Sequence, residues 1–362
     1  MATPAGVLNS GGGFGERLFA RAVAFEEIPL IDFAAMAQSD PAARLRVARA
    51  IRQACETAGF FYICNHGIPD EDIARIFELG RRFFALPLAD KLILDSRKHP
   101  QFEGYTPMLA ENTDPANRGD LHESFDMVSQ FGQGAAAAAT ADAVATPAAA
   151  VAPAPARDVN AWPDALPEFK TQLRLYWGEV YQVGRRLFEA VALSLGLPEE
   201  FFHPYLTRPT AMLRLNYYPP QPATGDATQI GIGSHTDYEC FTILAQQPGI
   251  TALQVWNGRE WIHAPPIPGT FIVNIADQMQ RWTNDVFSST RHRAINPAGM
   301  PRMSIPFFLG VNYETVISPL PSCVSAANPS KYPPVIAGEY VTQRLNETYG
   351  LATRRASEDA GA

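Results

Sequence analysis

Two hydrophobic spacings divide the chain into an N-terminal and a C-terminal part. Up to about residue 195, apolar side chains recur every three or four positions, which predicts helices over 41–58, 69–84 and 168–195. From Thr210 onward the spacing falls to two, and Pro, Gly and Asn interrupt the apolar segments. This pattern predicts a C-terminal jelly roll or barrel of short antiparallel strands, preceded by a region that mixes helices and strands.

Short strands are predicted in both parts. In the N-terminal part they cover 28–33, where a proline is typical of an edge strand, and 59–64. In the C-terminal part the predicted strands are 211–217, 233–244, 252–256, 261–264, 270–275, 292–295 and 303–311. A short amphipathic helix over 339–349 follows the last strand.

One internal segment lacks the apolar residues that a folded element needs. Residues 135–156 hold 14 alanines and three prolines and almost no bulky side chain. Because so little apolar surface cannot offset the entropy lost on ordering, we expect a flexible insertion. Five regions are expected in chain order. They are an N-terminal α/β region (27–131), the insertion (132–158), scaffold helices (159–209), the jelly roll (210–312) and a C-terminal extension with its helix (313–350).

The charge balance and the cysteines narrow the choice of partner and compartment. The chain has 29 Lys and Arg against 37 Asp and Glu, a net charge of -8, and no run of basic residues. Nucleic acid is therefore not an expected partner, because phosphate binding needs a clustered cationic surface. No stretch approaches 18 bulky apolar residues, so no membrane span is expected. Four widely spaced cysteines and the lack of a secretory signal pattern favour a reduced, cytoplasmic setting.

Two histidines and an aspartate form the first candidate site. His235 and Asp237 are two residues apart on a predicted strand, so both side chains should point to one face, which in a barrel can be the interior. His292 lies on another predicted strand, 55 residues after Asp237 and reachable across a barrel. Two imidazoles and one carboxylate on one side of a metal leave the opposite coordination positions open, as in non-heme Fe(II) oxygenases.

A second pair could bind an acid near that metal. Arg302 and Ser304 are again two apart on one predicted strand, and a guanidinium with a neighbouring hydroxyl suits a carboxylate ligand. Either pattern can arise without a function: an H-x-D pair is common by chance, and Arg-x-Ser can be a surface ion-pair partner. The ordered set of H-x-D, His and R-x-S within one run of strands is the stronger indication.

With these motifs the chain resembles the 2-oxoglutarate- and Fe(II)-dependent dioxygenases, in the branch that is similar to isopenicillin N synthase. The resemblance covers residues 27 to 350. Its C-terminal motifs are RLNYYPP at 214–220, HTD at 235–237, VNIAD at 273–277, His292 and RMS at 302–304. Its N-terminal motifs are IPLID at 28–32, GFFYICNHG at 59–67 and GY at 104–105.

The resemblance implies a fold and a set of roles. The fold would be mainly β with α: a double-stranded β-helix (jelly-roll) core flanked by helices, with an N-terminal α/β region. Iron would be held by His235, Asp237 and His292. Arg302 and Ser304 would bind the distal carboxylate of 2-oxoglutarate. Two residues of the RLNYYPP motif would assist them, Asn216 and Tyr218, and the candidate substrate contacts are Tyr105, Glu123 and Phe125.

The implied function is an enzyme that oxidises a small organic metabolite with O2, most often by hydroxylation, and releases succinate and CO2. An alternative within the superfamily is an ethylene- and succinate-forming oxygenase that fragments 2-oxoglutarate itself. An alternative from another class is a catalytically silent barrel that binds a carboxylate or Zn(II). The sequence indicates neither the substrate nor the oligomeric state, because many chemistries share this fold.

Overall fold

The computed structural model describes residues 28–99, 102–128, 160–221, 229–296 and 299–348. The expected insertion, 132–158, lies outside the described residues. The α-helices within the described residues are α1 (Pro41–Thr57), α2 (Asp70–Phe84), α3 (Leu88–Ile93), α4 (Pro167–Ser194), α5 (Asp277–Trp282) and α6 (Ala337–Thr348). The β-strands are β1 (Leu30–Asp32), β2 (Phe60–Cys64), β3 (Gly104–Thr106), β4 (Glu123–Val128), β5 (Pro209–Tyr218), β6 (Ile232–His235), β7 (Phe241–Gln246), β8 (Leu253–Trp256), β9 (Trp261–His263), β10 (Thr270–Ile275), β11 (His292–Ala294), β12 (Arg302–Asn312), β13 (Val316–Ile317) and β14 (Val335–Ile336).

Two sheets form the jelly-roll core. The larger sheet has eight strands in the order β1-β2-β10-β7-β12-β5-β4-β3, and the smaller has four in the order β6-β11-β8-β9. Neighbouring strands in both sheets are antiparallel except β1 and β2. Strands β1 to β4 come from the N-terminal region, yet they extend the larger sheet at both ends, so the N-terminal and C-terminal regions share one sheet.

Most predicted elements are present, and their local signals explain their ends. The Asp40 side chain accepts a hydrogen bond from the backbone N–H of Ala42, so it caps α1, and Pro41 occupies the first helical position, where its missing donor costs nothing. Strand β1 lies at the sheet edge, as Pro29 immediately before it indicated. The strand predicted over 233–244 is wrong in one respect: it is two strands, β6 and β7, separated by a turn at residues 236–240.

Helices cover the outer face of the larger sheet and meet it closely at two glycines. A Cβ added to Gly80 of α2 would lie 2.3 Å from Cε of Met303, and one added to Gly184 of α4 would lie 2.3 Å from Cδ2 of Leu309. Both contacts are with β12, so the absence of a side chain allows these helices to pack against the central strand. No helix among the described residues is long and apolar enough to cross a bilayer.

The alternation of β12 separates the hydrophobic core from an internal cavity. Met303, Ile305, Phe307, Leu309 and Val311 are buried in the core beneath the helices. The intervening residues face the space between the two sheets and line the cavity: Arg302, Ser304, Pro306 and Phe308. A second apolar cluster, built mainly from β2, β8 and β10, fills another part of the space between the sheets. The strand period therefore places every candidate residue of β12 on the interior face.

Candidate active site

The candidate residues meet in a cavity between the two sheets. Its volume is about 130 Å³, and its walls come from β5, β6, β7, β11 and β12, with α6 contributing Val341, Leu345 and Thr348. Seven of the residues expected to act in catalysis or cosubstrate binding line this cavity: His235, Asp237, His292, Arg302, Ser304, Asn216 and Tyr218.

The three candidate metal ligands converge on one point. Their ligand atoms all lie within 4.8 Å of one another, with Nε2 of His235 and Nε2 of His292 at 3.5 and 3.6 Å from Oδ1 of Asp237. The elements that carry these three residues differ from the expected ones. His235 ends β6, whereas Asp237 lies two residues beyond it in the turn, and His292 pairs directly with His235 on the adjacent antiparallel strand rather than across the barrel.

Hydrogen bonds orient each of these side chains. Nδ1 of His235 donates to the carbonyl oxygen of Gly233 at 2.8 Å, and Nδ1 of His292 donates to that of Thr290 at 3.1 Å. Because a carbonyl oxygen only accepts, the proton sits on Nδ1 and leaves the Nε2 lone pair facing the centre. Oδ2 of Asp237 accepts from Thr242 and from Asn274, so Oδ1 is the oxygen that faces the imidazoles.

The electrostatics of the triad suit a divalent cation. Burial would raise the pKa of Asp237, but His292, His235 and Thr242 outweigh it and hold that pKa below its usual value. Burial, reinforced by His235, lowers the pKa of His292 to about 4, so this imidazole is neutral and its lone pair is available at physiological pH. Two imidazole nitrogens and a carboxylate, with open space opposite, are a donor set that Fe(II) accepts.

A buried cation with unsatisfied donors lies at one end of the cavity. Arg302 is only 2% exposed, and its Nε and Nη1 have no hydrogen-bond partner. Its guanidinium packs over the ring of Tyr218 at 4.8 Å, and the Tyr218 hydroxyl lies 3.2 Å from the hydroxyl of Ser304. Burial lowers the pKa of Arg302. A dicarboxylate whose far end reached Arg302 would satisfy these donors, so the site fits 2-oxoglutarate.

A second buried arginine in the same wall is fully engaged. Arg214 donates to both oxygens of Asp126 at 2.6 and 2.8 Å and to both oxygens of Glu111 at 2.8 and 2.9 Å. Glu111 also contacts Nε2 of His122 at 2.9 Å, while Nδ1 of that ring faces the carbonyl oxygen of Gly231 at 3.2 Å. Both ring nitrogens therefore face oxygen atoms. Sequence reasoning noticed Arg214 only as part of a motif, because its partners are about 90 to 100 residues away.

One buried acid on the cavity wall has no cation. Glu239, in the turn between β6 and β7, is 8% exposed, and its Oε2 has no hydrogen-bond partner. Burial is the main reason that the pKa of Glu239 rises to about 8, with a hydrogen bond from Thr210 acting in the opposite direction. Sequence analysis missed this residue, although its position two after Asp237 was a signal that could have been used.

The three expected substrate contacts lie elsewhere. Tyr105 donates to Oε2 of Glu123 at 2.5 Å, and Lys91 donates to the same oxygen at 2.7 Å, in a buried cluster on the helix side of the larger sheet. Phe125 packs against Phe83 and the other rings beneath α4. None of the three is among the lining residues of the cavity. Strand β4 turns Glu123 and Phe125 to the opposite face from Ser124 and Asp126, so the structure does not bring these residues to the cavity.

Comparisons with known proteins agree with this geometry. The model of the family described as non-haem dioxygenase in morphine synthesis N-terminal matches residues 28–165, and that of the 2OG-Fe(II) oxygenase superfamily matches residues 209–311.

Characterised relatives extend over nearly the whole chain. The 2-oxoglutarate-Fe(II) type oxidoreductase hxnY of Emericella nidulans is 32% identical over 90% of this chain and 91% of its own length. Homoarginine-6-hydroxylase 2-ODD-C23.1 of Arabidopsis thaliana is 33% identical over 83% of this chain and 89% of its own length. The crystal structure of a full-length Neurospora crassa protein in complex with alpha-KG and 5-formyluracil superposes with a TM-score of 0.75 at 28% identity, covering 91% of this chain and 100% of that one.

Proposed function

The chain belongs to the 2OG-Fe(II) oxygenase superfamily, and we propose that it hydroxylates a C–H bond of a small organic substrate beside an iron held by His235, Asp237 and His292. It is an Fe(II)- and 2-oxoglutarate-dependent oxidoreductase that uses O2 and acts on small metabolites. The observation that carries the proposed site is the convergence of two Nε2 atoms and one carboxylate oxygen within 4.8 Å, on the wall of an internal cavity.

The residues around the triad have distinct roles in this proposal. Asn274 and Thr242 hold Oδ2 of Asp237, which directs Oδ1 to the metal. Backbone carbonyls of Gly233 and Thr290 fix the tautomers of the two histidines. The protein therefore presents three preoriented ligand atoms and leaves the facing side of the ion free for ligands.

Arg302 and Ser304 would bind the distal carboxylate of 2-oxoglutarate, and Tyr218 and Asn216 would complete that end of the cavity. The support is chemical: Nε and Nη1 of Arg302 are buried hydrogen-bond donors without partners. When bound, Fe(II) and 2-oxoglutarate supply O2 activation coupled to decarboxylation, which yields succinate and CO2. Apolar side chains of the cavity wall would limit the access of water, so that the oxidation acts on the substrate.

The relatives narrow the class of activity. Since they include oxidoreductases and a hydroxylase, the catalytically silent barrel kept open at the sequence level is set aside. We also propose that the chain belongs to the isopenicillin N synthase-like branch and works in a reducing, cytoplasmic setting. The supports are the match to the dioxygenase N-terminal family and the four free cysteines. We likewise propose that residues 132–158 form an insertion and that residues 210–312 form the jelly-roll domain.

The test is oxygen-dependent turnover of 2-oxoglutarate by the iron-loaded protein across a metabolite panel. We expect a true substrate to raise succinate release well above the uncoupled rate, with a product heavier by one oxygen atom. Ethylene in the headspace without any added substrate would favour the fragmenting oxygenase instead. A protein that neither binds 2-oxoglutarate nor releases succinate would contradict the proposal.

A further inference from the structure

The end of the cavity remote from Arg302 holds an acid whose hydrogen bonding is incomplete. Glu239 lines the cavity with Met212, Phe308, Val341 and Leu345, and only 8% of its surface is exposed. The Thr210 side chain hydrogen-bonds to the carboxylate, but Oε2 has no partner. Buried carboxylate oxygens in folded proteins are nearly always paired, so this atom indicates a missing donor.

The other buried acids at or near the cavity already have partners. Asp237 faces two imidazoles and the proposed iron. Glu111 and Asp126 share Arg214, and Glu111 also contacts His122. Of these buried acids in the described part of the chain, Glu239 is the one with no cation in contact.

No neighbouring arginine of the cavity wall is available to it. Arg302 faces the opposite end, where the negative charge of bound 2-oxoglutarate would meet it. Arg293 places its guanidinium over the ring of Trp261 at 4.2 Å and donates to Gln254 at 2.7 Å, on the other face of β11 from His292. With iron and cosubstrate in place, Glu239 is left as the acid of the cavity wall that no cation contacts.

We infer that the substrate carries a cationic nitrogen, an ammonium or guanidinium group, on an apolar chain, and that Glu239 binds that nitrogen through Oε2. The apolar residues Met212, Phe308, Val341 and Leu345 would then contact the chain. Charge-assisted hydrogen bonds are the strong ones in a buried site, so the contact with Glu239 would determine specificity. This inference rests on the proposed function, because it assigns the substrate class of the same cavity.

The test compares two probes of equal shape and different charge. Butylguanidinium and its neutral isostere N-butylurea are titrated calorimetrically into the anaerobic protein loaded with Fe(II) and 2-oxoglutarate. We expect the wild-type protein to bind butylguanidinium at least tenfold more tightly than N-butylurea. In Glu239→Gln, which keeps the side-chain shape and removes the charge, this ratio should fall to about one.

Controls separate the alternatives. Glu200→Gln makes the same change at an exposed position and should keep the wild-type ratio. Glu239→Asp keeps the charge on a shorter side chain and should retain part of the preference, which shows that a loss in Glu239→Gln is not a folding defect. Equal affinities for the two probes in the wild type, binding of neither, or an unchanged ratio in Glu239→Gln would overturn the inference. A protein that fails to take up 2-oxoglutarate before any probe is added would instead contradict the proposed function.

Discussion

Two buried arginines on paired strands differ in how completely their donors are used. Arg214 of β5 makes four hydrogen bonds to Asp126 and Glu111, whereas Arg302 of β12 leaves Nε and Nη1 without partners. Both face the same cavity, from strands that pair antiparallel. The saturated arginine is held by the protein's own carboxylates, and the unsaturated one is where we propose that the carboxylate of 2-oxoglutarate binds, since an unpaired buried charge is costly.

A similar distinction applies to the acids. Glu123 is saturated by Lys91 and Tyr105 and lies away from the cavity. On the cavity wall, Oε2 of Glu239 has no partner, and Oδ1 of Asp237 faces the two imidazoles. Glu239 and Asp237 both lie on the cavity wall, where iron, 2-oxoglutarate and substrate are proposed to bind.

The largest effect is expected from Asp237→Ala. Removing the one carboxylate ligand should abolish both stoichiometric iron binding and detectable turnover, because the two imidazoles alone do not complete the facial set. Metal analysis after anaerobic loading and succinate release measure the two losses. Asp164→Ala, at an exposed position, serves as the control. Turnover by an iron-replete Asp237→Ala protein would remove this residue from the ligand set.

Arg214→Met should destabilise the fold strongly. It leaves the buried carboxylates of Asp126 and Glu111 without their guanidinium, which costs about 3–5 kcal/mol for a broken buried pair. Denaturant unfolding of the apo protein measures this loss. If the free energy of unfolding changes by less than about 1 kcal/mol, Arg214 is not the structural arginine of the pair.

Arg302→Met should weaken the binding of 2-oxoglutarate without destabilising the fold. In the absence of 2-oxoglutarate the free energy of unfolding should stay unchanged or rise, because an unpaired buried cation is replaced by an apolar side chain. Binding of 2-oxoglutarate should weaken by about 2–5 kcal/mol, the cost of removing one member of a buried charged pair. Unfolding curves with and without 2-oxoglutarate measure both effects, and Arg214→Met is the matched comparison.

Thr242→Val should have a smaller effect on the metal. The substitution keeps the side-chain shape and removes the hydroxyl that donates to Oδ2 of Asp237. Residues that orient a ligand typically contribute about 10–100-fold to metal affinity, so an iron titration should shift by that factor. Thr57→Val, which removes a hydroxyl from the exposed end of α1, should leave iron binding unchanged.

Tyr105→Phe tests whether Tyr105 lies away from the cavity, where the structure places it. Losing the hydrogen bond to Glu123 should cost about 1.5 kcal/mol of stability, because the acceptor is charged. The KM for 2-oxoglutarate should not change. Tyr218→Phe is the cavity-facing counterpart and should raise that KM several-fold with little loss of stability. Equal kinetic effects of the two substitutions would show that the faces of β3 and β5 have been assigned incorrectly.

Features that depend on local spacing could be predicted from the sequence. Features that depend on contacts between residues far apart in the chain could not. The residue types of the triad, the R-x-S pair and the cap at Asp40 were all readable from their neighbours. Asp237 was expected on a strand because a turn of a few polar residues resembles a continuation of the period.

The choice of face on β4 shows a second limit. Period two separates Glu123 and Phe125 from Ser124 and Asp126, but it does not say which set faces inward. That depends on Arg214 and Glu111, and these contacts join residues up to 103 positions apart. Glu239 is a similar case, because its lack of a partner is a property of the folded cavity.

The account is tested most directly by an anaerobic titration of 2-oxoglutarate into Fe(II)-loaded protein, followed by the visible charge-transfer band of the chelate. We predict a saturable band for the wild type and for any folded fraction of Arg214→Met, with similar midpoints. For Arg302→Met the midpoint should move to at least about 30-fold higher concentration, as the loss of a buried charged pair requires. A midpoint in Arg302→Met equal to that of the wild type would contradict the claim that unsatisfied buried donors mark the cosubstrate site.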